Sequence, residues 1–416
     1  MSTEKPKLFS TSYIIAFITS TMVFMSNFLL VSLIPLHLSE KMGTSRSEIG
    51  TVLGLSSVGI LILRPTMGFV LDKWGRKNFL SLSLFLLGFA NLSFLFARTP
   101  MAILLLRIFQ IIPFAASSTA LTTIASDVIP IERRGEGLSI FTSASTLALA
   151  IGPAVGIALY KGAWYGTPFV VSAIGGFLCF IFSFAIKIPK LKQPNLKFKF
   201  KSLFDRHVLV ISAFVALGYM GIVGLISYGT LYASEINLPH SKVSFAITLF
   251  SFGLISLRLL TAKVMDRDGP FKSGILSMVM FSLGLGIIGI IRNSTGLYIG
   301  SFIMGGGVGI LLPIGLAMAM DLVNPAKKGV CTGLIYSGID IANSLGAMLF
   351  GYFGEIFQSF GATFLLFSII ELLGVFLFIF LIYPYYKKEK IRILLLNSEE
   401  FENEMQNRIP VINFND

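Results

Sequence analysis

The amino-acid sequence predicts an all-α membrane protein with twelve transmembrane helices in two pseudo-symmetric six-helix bundles. The first observation is composition, since 13% of the 416 residues are charged, against roughly 25% in soluble domains. The second is a series of apolar runs close to the ~20 residues that cross a ~30 Å bilayer core as a helix. The third is an internal repeat that relates the two halves of the chain.

Twelve apolar runs account for most of the chain. The first is longer than the apolar part of a signal peptide and lacks a small-residue cleavage site, so we expect it to span the membrane. We expect an N-terminal bundle over 1–187, a basic linker over 188–206, a C-terminal bundle over 207–385 and a cytoplasmic tail over 386–416. The expected spans are 12–38, 47–71, 79–98, 101–128, 137–161, 167–187, 207–235, 242–265, 272–291, 295–323, 330–356 and 362–385.

The basic residues predict how these spans are oriented. If both termini are cytoplasmic, the inner segments carry 24 of the 33 Lys and Arg residues, the outer loops carry six, and three lie within spans. Cytoplasmic loops of membrane proteins are enriched in Lys and Arg. We therefore expect a multi-pass protein of a bacterial-type inner (cell) membrane with both termini inside. The linker is either an amphipathic segment on the anionic inner leaflet or a solvated connection.

An internal repeat appears at a fixed shift of 194 residues. The stretch "LILRPTMGFVLDKWG" (61–75) aligns with "ISLRLLTAKVMDRDG" (255–269), and "SDVIPIERRGEG" (126–137) aligns with "MDLVNPAKKGVC" (320–331). The shift therefore pairs Asp127 with Asp321. Duplicated halves that flank a midplane site are typical of secondary transporters, although channels and membrane enzymes can also be duplicated.

A dense group of charges interrupts the apolar sequence at "GFVLDKWGRKNF" (68–79), between the second and third spans. At the same shift of 194 residues, Asp72 aligns with Asp266. Arg76 and Lys77 instead align with the uncharged Pro270 and Phe271. We therefore predict a conformational latch, a contact that stabilises one state of the transporter, rather than a substrate site. The predicted latch comprises Gly68, Asp72, Lys73, Gly75, Arg76 and Lys77, with Asp266 and Gly269 in a weaker second copy.

Ionisable residues inside spans are rare and suggest function. Arg107 lies in the fourth span with Gln110 nearby, and Asp340 forms a polar stripe with Tyr336 and Asn343 in the eleventh. Helical spacing places these stripe residues on one face. We predict a coupling or substrate role for all five, and local snorkelling or a static ion pair is the alternative for the charged ones.

Further candidates lie in the first, fifth and seventh spans. Asn27 in the first span and Tyr228 in the seventh are candidate cavity-lining residues. In the fifth span, Gly152, Pro153 and Gly156 form a helix-packing motif, because small residues four apart let helices approach closely and proline bends a helix.

Several function classes are excluded by the sequence. It contains no phosphate-binding GxxxxGK[ST] loop, no HExxH motif and no serine-nucleophile elbow. The two cysteines have no metal-ligand spacing. We expect no enzyme activity, no metal and no cofactor, so the energy for transport comes from an ion gradient or from the gradient of the substrate.

Three motifs resemble the major facilitator superfamily. "GFVLDKWGRK" matches its loop signature G-x-x-x-D-[RK]-x-G-R-[RK] at every position. "LLLRIFQIIPF" (104–114) is similar to the fourth-span motif, with Arg107 in place and Pro113 where small residues are usual. "LAIGPAVGIAL" (149–159) resembles the fifth-span motif of the drug/proton antiporter branch, with Ile157 replacing its second glycine. "IERRGEG" (131–137) and "YSGIDIANSLG" (336–346) look like arabinose-efflux-like, multidrug and metallophore exporters.

The resemblance covers nearly the whole chain and implies two bundles that rock around a central cavity by alternating access. It also implies that Asp72 pairs with nearby bases and with the positive N-terminal end of the eleventh helix. We expect a monomer in the lipid bilayer that exports small organic molecules (drugs, metallophores or sugars) in exchange for protons and binds no nucleic acid. The alternatives are an importer or facilitator of a sugar or organic acid, and a transporter-like receptor or scaffold.

Overall fold

The computed structural model describes residues 8–130, 133–160, 162, 164–187, 205–323 and 328–408, with only the backbone described at 57–66, 68–69, 72, 134–136, 139, 259–268, 328–330 and 396–408. The described chain contains helices and connecting turns but no β-strand. Its helices are α1 (Thr11–Met42), α2 (Arg46–Trp74), α3 (Arg76–Ser93), α4 (Pro100–Val128), α5 (Arg134–Tyr160), α6 (Thr167–Ala185), α7 (Arg206–Leu217), α8 (Ile222–Ile226), α9 (Gly229–Glu235), α10 (His240–Ile290), α11 (Ser294–Asp321), α12 (Lys328–Ile356), α13 (Phe360–Leu377) and α14 (Tyr383–Arg408).

The prediction of twelve transmembrane helices is confirmed. In the described chain, ten stretches are long and apolar enough to cross a membrane: α1, α3, α4, α5, α6, both arms of α10, α11, α12 and α13. The 29-residue α2 and the interrupted segment α7–α9 supply the other two crossings. Successive crossings alternate in direction, so the start of α1 and the end of the last span lie on one face, here called the terminal face. The turns at 43–45, 236–239 and 357–359 lie on the opposite face.

The eighth and ninth spans form the two arms of α10. Gly269 joins them with φ of 73°, a left-handed conformation that glycine adopts without strain. Pro270 follows directly and begins the second arm, where its missing N–H leaves no helical hydrogen bond unmade. The sequence-based expectation of two spans separated near residue 269 therefore agrees with the backbone.

The seventh span was expected as one helix over 207–235, but it is divided into α7, α8 and α9. Glycine lowers helix stability by about 1 kcal/mol relative to alanine, and this span has several. Two of them are required by packing rather than by local preference. Gly221 lies against Leu285, and Gly224 lies against Phe350 and Phe364, so a side chain at either position would collide with these residues.

The twelfth span extends further than expected. The helix passes from α13 through a π-helical turn at Phe378–Ile382 and continues as α14 to Arg408. The segment after residue 385, which the sequence suggested was a tail, is therefore helical throughout its described part.

The two bundles meet along two pairs of helices. α2 packs on α12, and α5 packs on α10, where the Thr248 hydroxyl donates to the Ala150 carbonyl at 2.9 Å. The repeat relates α2 to the first arm of α10 and α5 to α12, so these two pairs are equivalent by pseudo-symmetry. A large hydrophobic core crosses the boundary and includes Leu33 of the first bundle and Phe350 of the second.

Candidate functional site

A cavity of about 140 Å³ lies between the bundles. Four residues predicted from the sequence line it, although they come from three helices: Asn27 from α1, Arg107 from α4, and Asp340 and Asn343 from α12. The rest of its wall is mostly apolar and comes from α1, α2, α4, α8 and α12. The fold therefore brings one cation, one carboxylate and two amides from both halves of the chain to a single apolar cavity.

Arg107 is almost completely buried, with 4% of its surface exposed. Its Nη1 donates a hydrogen bond to Gln110 Oε1 at 2.5 Å, one turn along α4. Burying a charge is costly unless it is paired or hydrogen-bonded. Gln110 is thus placed to orient and partly stabilise the guanidinium, although it is not among the lining residues.

Two amide groups near this arginine have unused hydrogen-bonding capacity. Within the described part of the chain, Asn27 Oδ1 and Gln110 Nε2 are buried and have no hydrogen-bond partner. Buried polar groups are usually hydrogen-bonded, and exceptions often mark a site for water, an ion or a ligand. Asn27 lines the cavity, so its unpartnered oxygen lies close to where a bound molecule would be.

The polar stripe of α12 divides between two environments. Asp340 and Asn343 line the cavity, and the Ser344 hydroxyl donates to the Asp340 backbone carbonyl at 2.9 Å. Tyr336, one turn earlier, instead packs against the hydrophobic core of the second bundle. Helical spacing alone grouped these residues, whereas packing separates the tyrosine from the cavity.

Tyr228 is fully buried and does not line the cavity. Its hydroxyl donates to the Ala347 carbonyl of α12 at 2.9 Å, and its ring packs on Phe350 and Phe360. The residue therefore ties the seventh span to α12 and α13.

The small residues of the fifth span face α1. A Cβ on Gly152 would lie 3.2 Å from the Met25 carbonyl oxygen, and a Cβ on Gly156 would lie 2.9 Å from the Leu29 carbonyl oxygen. Pro153 lies between them in the interior of α5 and is buried. These residues permit close contact between α1 and α5 directly beside the Asn27 side of the cavity.

Part of the predicted latch is visible on the terminal face. Lys73 is exposed, and Gly75 reverses the chain with φ of 86°. Arg76 forms an ion pair with Asp127 of α4, and Lys77 Nζ donates to the Phe184 carbonyl of α6 at 2.9 Å. The side chains of Asp72 and Asp266, and the surroundings of Gly68, lie outside the described residues.

The second bundle forms a corresponding ion pair with a different helix. Asp321, the repeat partner of Asp127, accepts hydrogen bonds from Lys390 Nζ at 2.7 Å and from the Tyr386 hydroxyl at 2.5 Å. Both donors belong to α14. The sequence did not predict these contacts, because the base comes from the helical extension and not from the repeated turn.

A polar cluster on the opposite face joins the two bundles and was not predicted from the sequence. At the start of α2, the Arg46 backbone N–H donates to Glu355 Oε2 at 3.0 Å, and its Nη1 donates to the Gly354 carbonyl at 2.9 Å. The same guanidinium lies 3.7 Å from Glu235 and 4.4 Å from the Phe360 ring centre. Glu235 in turn accepts a hydrogen bond from the Phe360 backbone N–H at 2.7 Å. This bond supplies a partner for an N–H group in the first turn of α13. One arginine of the first bundle thus contacts α9, α12 and α13 of the second.

Glycines let α2 and α12 approach closely beside this cluster. A Cβ on Gly50 would lie 2.8 Å from the Ala347 carbonyl oxygen, and a Cβ on Gly351 would lie 2.5 Å from the Arg46 carbonyl oxygen. Gly54, one turn further along α2, also faces α12 without room for a side chain. The two bundles are therefore in direct contact on the opposite face of the molecule.

Known proteins resemble this chain along most of its length. The model of the Major Facilitator Superfamily matches residues 16–267 and 209–396. An uncharacterized MFS-type transporter of Methanocaldococcus jannaschii is 25% identical over 329 residues, which cover 76% of this chain and 85% of the relative. The Staphylopine export protein of Staphylococcus aureus is 22% identical over 367 residues, covering 82% and 88%.

Solved structures share the fold. A bacterial homologue of the human lysosomal transporter Spinster, in an inward-facing and occupied conformation, matches with a TM-score of 0.77 and 14% identity. The match covers 93% of this chain and 99% of that chain. At this identity the likeness shows the architecture of two six-helix bundles and not the substrate.

Proposed function

The chain belongs to the major facilitator superfamily, and on that premise we propose that it is a proton-coupled exporter of small organic molecules that works by alternating access. Membership makes it a multi-pass membrane transporter and not an enzyme. The observation that carries the proposal is the cavity between the bundles, which Arg107 and Asp340 line with opposite charges. The substrates we consider are drugs, metallophores and sugars.

The chemistry of the cavity favours small molecules that combine an apolar body with polar or charged groups. Its wall is mainly apolar, with Arg107, Asp340, Asn27 and Asn343 as the polar contacts. Sites for drug-sized ligands measure about 300–1,000 Å³, so a cavity of about 140 Å³ must widen to hold one. The likeness to a protein named for staphylopine export supports the outward direction of transport that we propose.

Asp340 is the residue that we assign to proton coupling. It lines the same cavity as Arg107, so protonation of its carboxylate changes the net charge of the cavity by one unit. Proton and substrate can then compete for one site, which is the requirement for exchanging one for the other. The apolar wall strengthens this competition because charges interact more strongly in a medium of low dielectric constant.

The contacts between the bundles support a state that is closed on the opposite face. Arg46, Gly50 and Gly351 hold α2 against α12 there. With both termini cytoplasmic, as the distribution of Lys and Arg predicts, that face is external. We propose that the terminal-face latch, including Asp72 and Arg76, stabilises the alternative outward-open state. We also propose that the domain boundaries at 187, 206 and 385 separate the moving bundles from the linker and the tail.

The test is transport by purified protein in proteoliposomes with an imposed pH gradient, using staphylopine, a fluorescent quinolone and a disaccharide as probes. The wild type is expected to move at least one probe against its gradient when protons flow the other way. Asp340→Asn is expected to lose this proton-driven transport but to retain exchange of the probe at equal pH. Asp205→Asn is the matched control, because that acid lies outside the cavity and caps the start of α7, as asparagine also can.

Unchanged proton-driven transport by Asp340→Asn would contradict the coupling role. The runner-up function, an importer or facilitator of a sugar or organic acid, is favoured by Arg107, which offers a binding site for a carboxylate. Counterflow that persists with the proton gradient collapsed, and that runs equally well inward, would establish the runner-up instead.

A further inference from the structure

A second carboxylate lies deep in the protein, away from the cavity. Glu371 is the one charged residue of α13, and none of its surface is exposed. Neither of its carboxylate oxygens has a hydrogen-bond partner in the part of the chain that the structure describes. Buried polar groups are usually hydrogen-bonded, so an acid without partners in a transmembrane helix calls for a chemical explanation.

Glu371 lies on the buried stripe of α13, which points into the second bundle. Phe364 and Phe367 precede it on this stripe, and Gly374 follows one turn later. A Cβ on Gly374 would lie 2.6 Å from Met278 Cε and 2.8 Å from Leu217 Cδ2. The acid is therefore held where α13 meets the second arm of α10 and the end of α7.

The helices packed on α13 offer no counter-ion to this acid. They are α7, α9, α10 and α12, and α8 touches α13 through Gly224 and Phe364. Within the described side chains, Glu371 has no ion pair with an N···O distance of 4.0 Å or less. Among the described side chains of these helices, the acids are Glu235, Asp340 and Glu355, and the bases are Arg206, His207, His240, Lys242, Arg258 and Lys272.

Two of those groups have partners elsewhere. Glu235 is bound to the start of α13, and Glu355 accepts from the backbone of Arg46, both on the opposite face. An isolated carboxylate in an apolar medium takes up a proton rather than remain charged. The geometry therefore indicates that Glu371 carries a proton in this conformation.

The short helix α8 separates Glu371's helix from the cavity. Ile222, Val223 and Ser227 of this segment line the cavity, while Gly224 faces Phe364 of α13. Turns interrupt the regular helix on both sides of α8, at 218–221 and at 227–228. A wall that is interrupted at both ends is suited to shift as a unit when the bundles rock.

We propose that Glu371 is a proton-binding site of the transport cycle, which holds its proton in this buried conformation and exchanges that proton when the helices around it move. The inference deepens the proposed function and rests on it for the link to transport. The step is a reversible protonation: the carboxylate gains a proton from water, and on release the proton returns to water. Nothing else is bonded or oxidised.

Infrared spectroscopy of the reconstituted wild type tests the protonation without any substrate. At neutral pH we expect the carbonyl absorption of a protonated carboxyl group, which persists in Asp340→Asn and is absent in Glu371→Gln. In deuterated buffer this absorption should shift, because the proton exchanges with solvent. Absence of the absorption, or an absorption that does not shift, would overturn the assignment.

Transport measurements test the role in the cycle. With staphylopine and a fluorescent quinolone as probes, Glu371→Gln is expected to lose proton-driven accumulation while it keeps exchange at equal pH. Glu371→Leu should also lose proton-driven accumulation and keep exchange. If the leucine variant fails to fold, the isosteric variant Glu371→Gln alone tests whether Glu371 is needed for coupling. Proton-driven accumulation equal to that of the wild type in Glu371→Gln would overturn the proposal.

The two proposals fail in different ways. If the wild type shows no proton-driven transport of any probe, the proposed coupled export is wrong, and the infrared result still decides whether Glu371 binds an exchangeable proton. If the wild type transports a probe and Asp340→Asn alone abolishes coupling, the proposed function stands and the role of Glu371 is rejected.

Discussion

Individual polar side chains that make few hydrogen bonds distinguish the cavity from the rest of the membrane interior. Arg107 is buried and donates to Gln110, while the oxygen of the cavity-lining Asn27 has no partner within the described chain. A hydrogen bond to a charged group contributes about 1.5–3 kcal/mol. The arginine is therefore the residue whose replacement should be most costly for binding.

We predict that Arg107→Gln lowers the affinity for a transported probe by about tenfold or more, which corresponds to roughly 1.4 kcal/mol or more. The physical reason is loss of a charge-assisted hydrogen bond in a site of low dielectric constant. Gln110→Leu should cause a smaller loss, since it removes only the orienting contact. Equilibrium binding of the fluorescent quinolone measures both.

Arg98→Gln is the control for the same substitution, because Arg98 is an exposed arginine whose Nη1 contacts the Tyr165 hydroxyl within one bundle. Equal losses of affinity in Arg98→Gln and Arg107→Gln would show that the effect does not come from the cavity.

Among the helices, α2 and α12 make the close contact between the bundles on the opposite face. Gly50, Gly54 and Gly351 let the two backbones approach closely. At the start of α2, Arg46 also contacts α9, α12 and α13. Small residues at helix contacts are a general means of close packing in membranes. Here they lie at the boundary between the bundles, so their contact must separate when the opposite face opens.

We predict that Gly351→Val shifts the protein toward the state that is open on the opposite face. The new side chain would collide with the Arg46 carbonyl and with Gly50. Spin labels at Thr51→Cys and Tyr352→Cys, both exposed positions, should report longer distances in this variant. The labels are introduced after Cys179 and Cys331 are replaced by alanine.

Gly333→Val is the matched control on the same helix, since a Cβ at Gly333 meets no described atom within 4 Å. Its label distances should equal those of the wild type. A Gly351→Val variant with unchanged distances would show that this contact does not control closure.

At the scale of the whole molecule, the two bundles share a fold but not their charges. The pairs α2–α12 and α5–α10 are equivalent by the repeat, yet Asp127 pairs with Arg76 of the turn and Asp321 pairs with Lys390 of α14. The two acids that the repeat relates therefore pair with different basic residues. The second bundle therefore stabilises its terminal face through the helical extension of the last span.

We predict that both termini are cytoplasmic. In the background without native cysteines, a membrane-impermeant maleimide should label Gln358→Cys in intact cells, because that exposed residue lies on the opposite face. Asn78→Cys on the terminal face should react only in inverted vesicles. The reverse pattern would contradict the orientation inferred from the distribution of Lys and Arg.

The sequence by itself determined the number of spans and the fold, because a chain in lipid must satisfy every backbone hydrogen bond within helices of bilayer length. It also identified Arg107, Asp340, Asn27 and Asn343, since polar residues are conspicuous in apolar spans. Hydropathy did not reveal the interruptions that divide α7, α8 and α9, which depend partly on glycine contacts with other helices.

Only the tertiary structure decided which face each polar residue occupies. Helices that are apolar all round give no pattern that separates a cavity-lining Asp340 from a packed Tyr336 or a buried Glu371. The cluster around Arg46 joins residues about 190 to 310 positions apart, and only the packing of the two bundles brings such distant residues together. The physical reason is that lipid selects helices by composition, whereas contacts between helices depend on the shapes of side chains distant in the sequence.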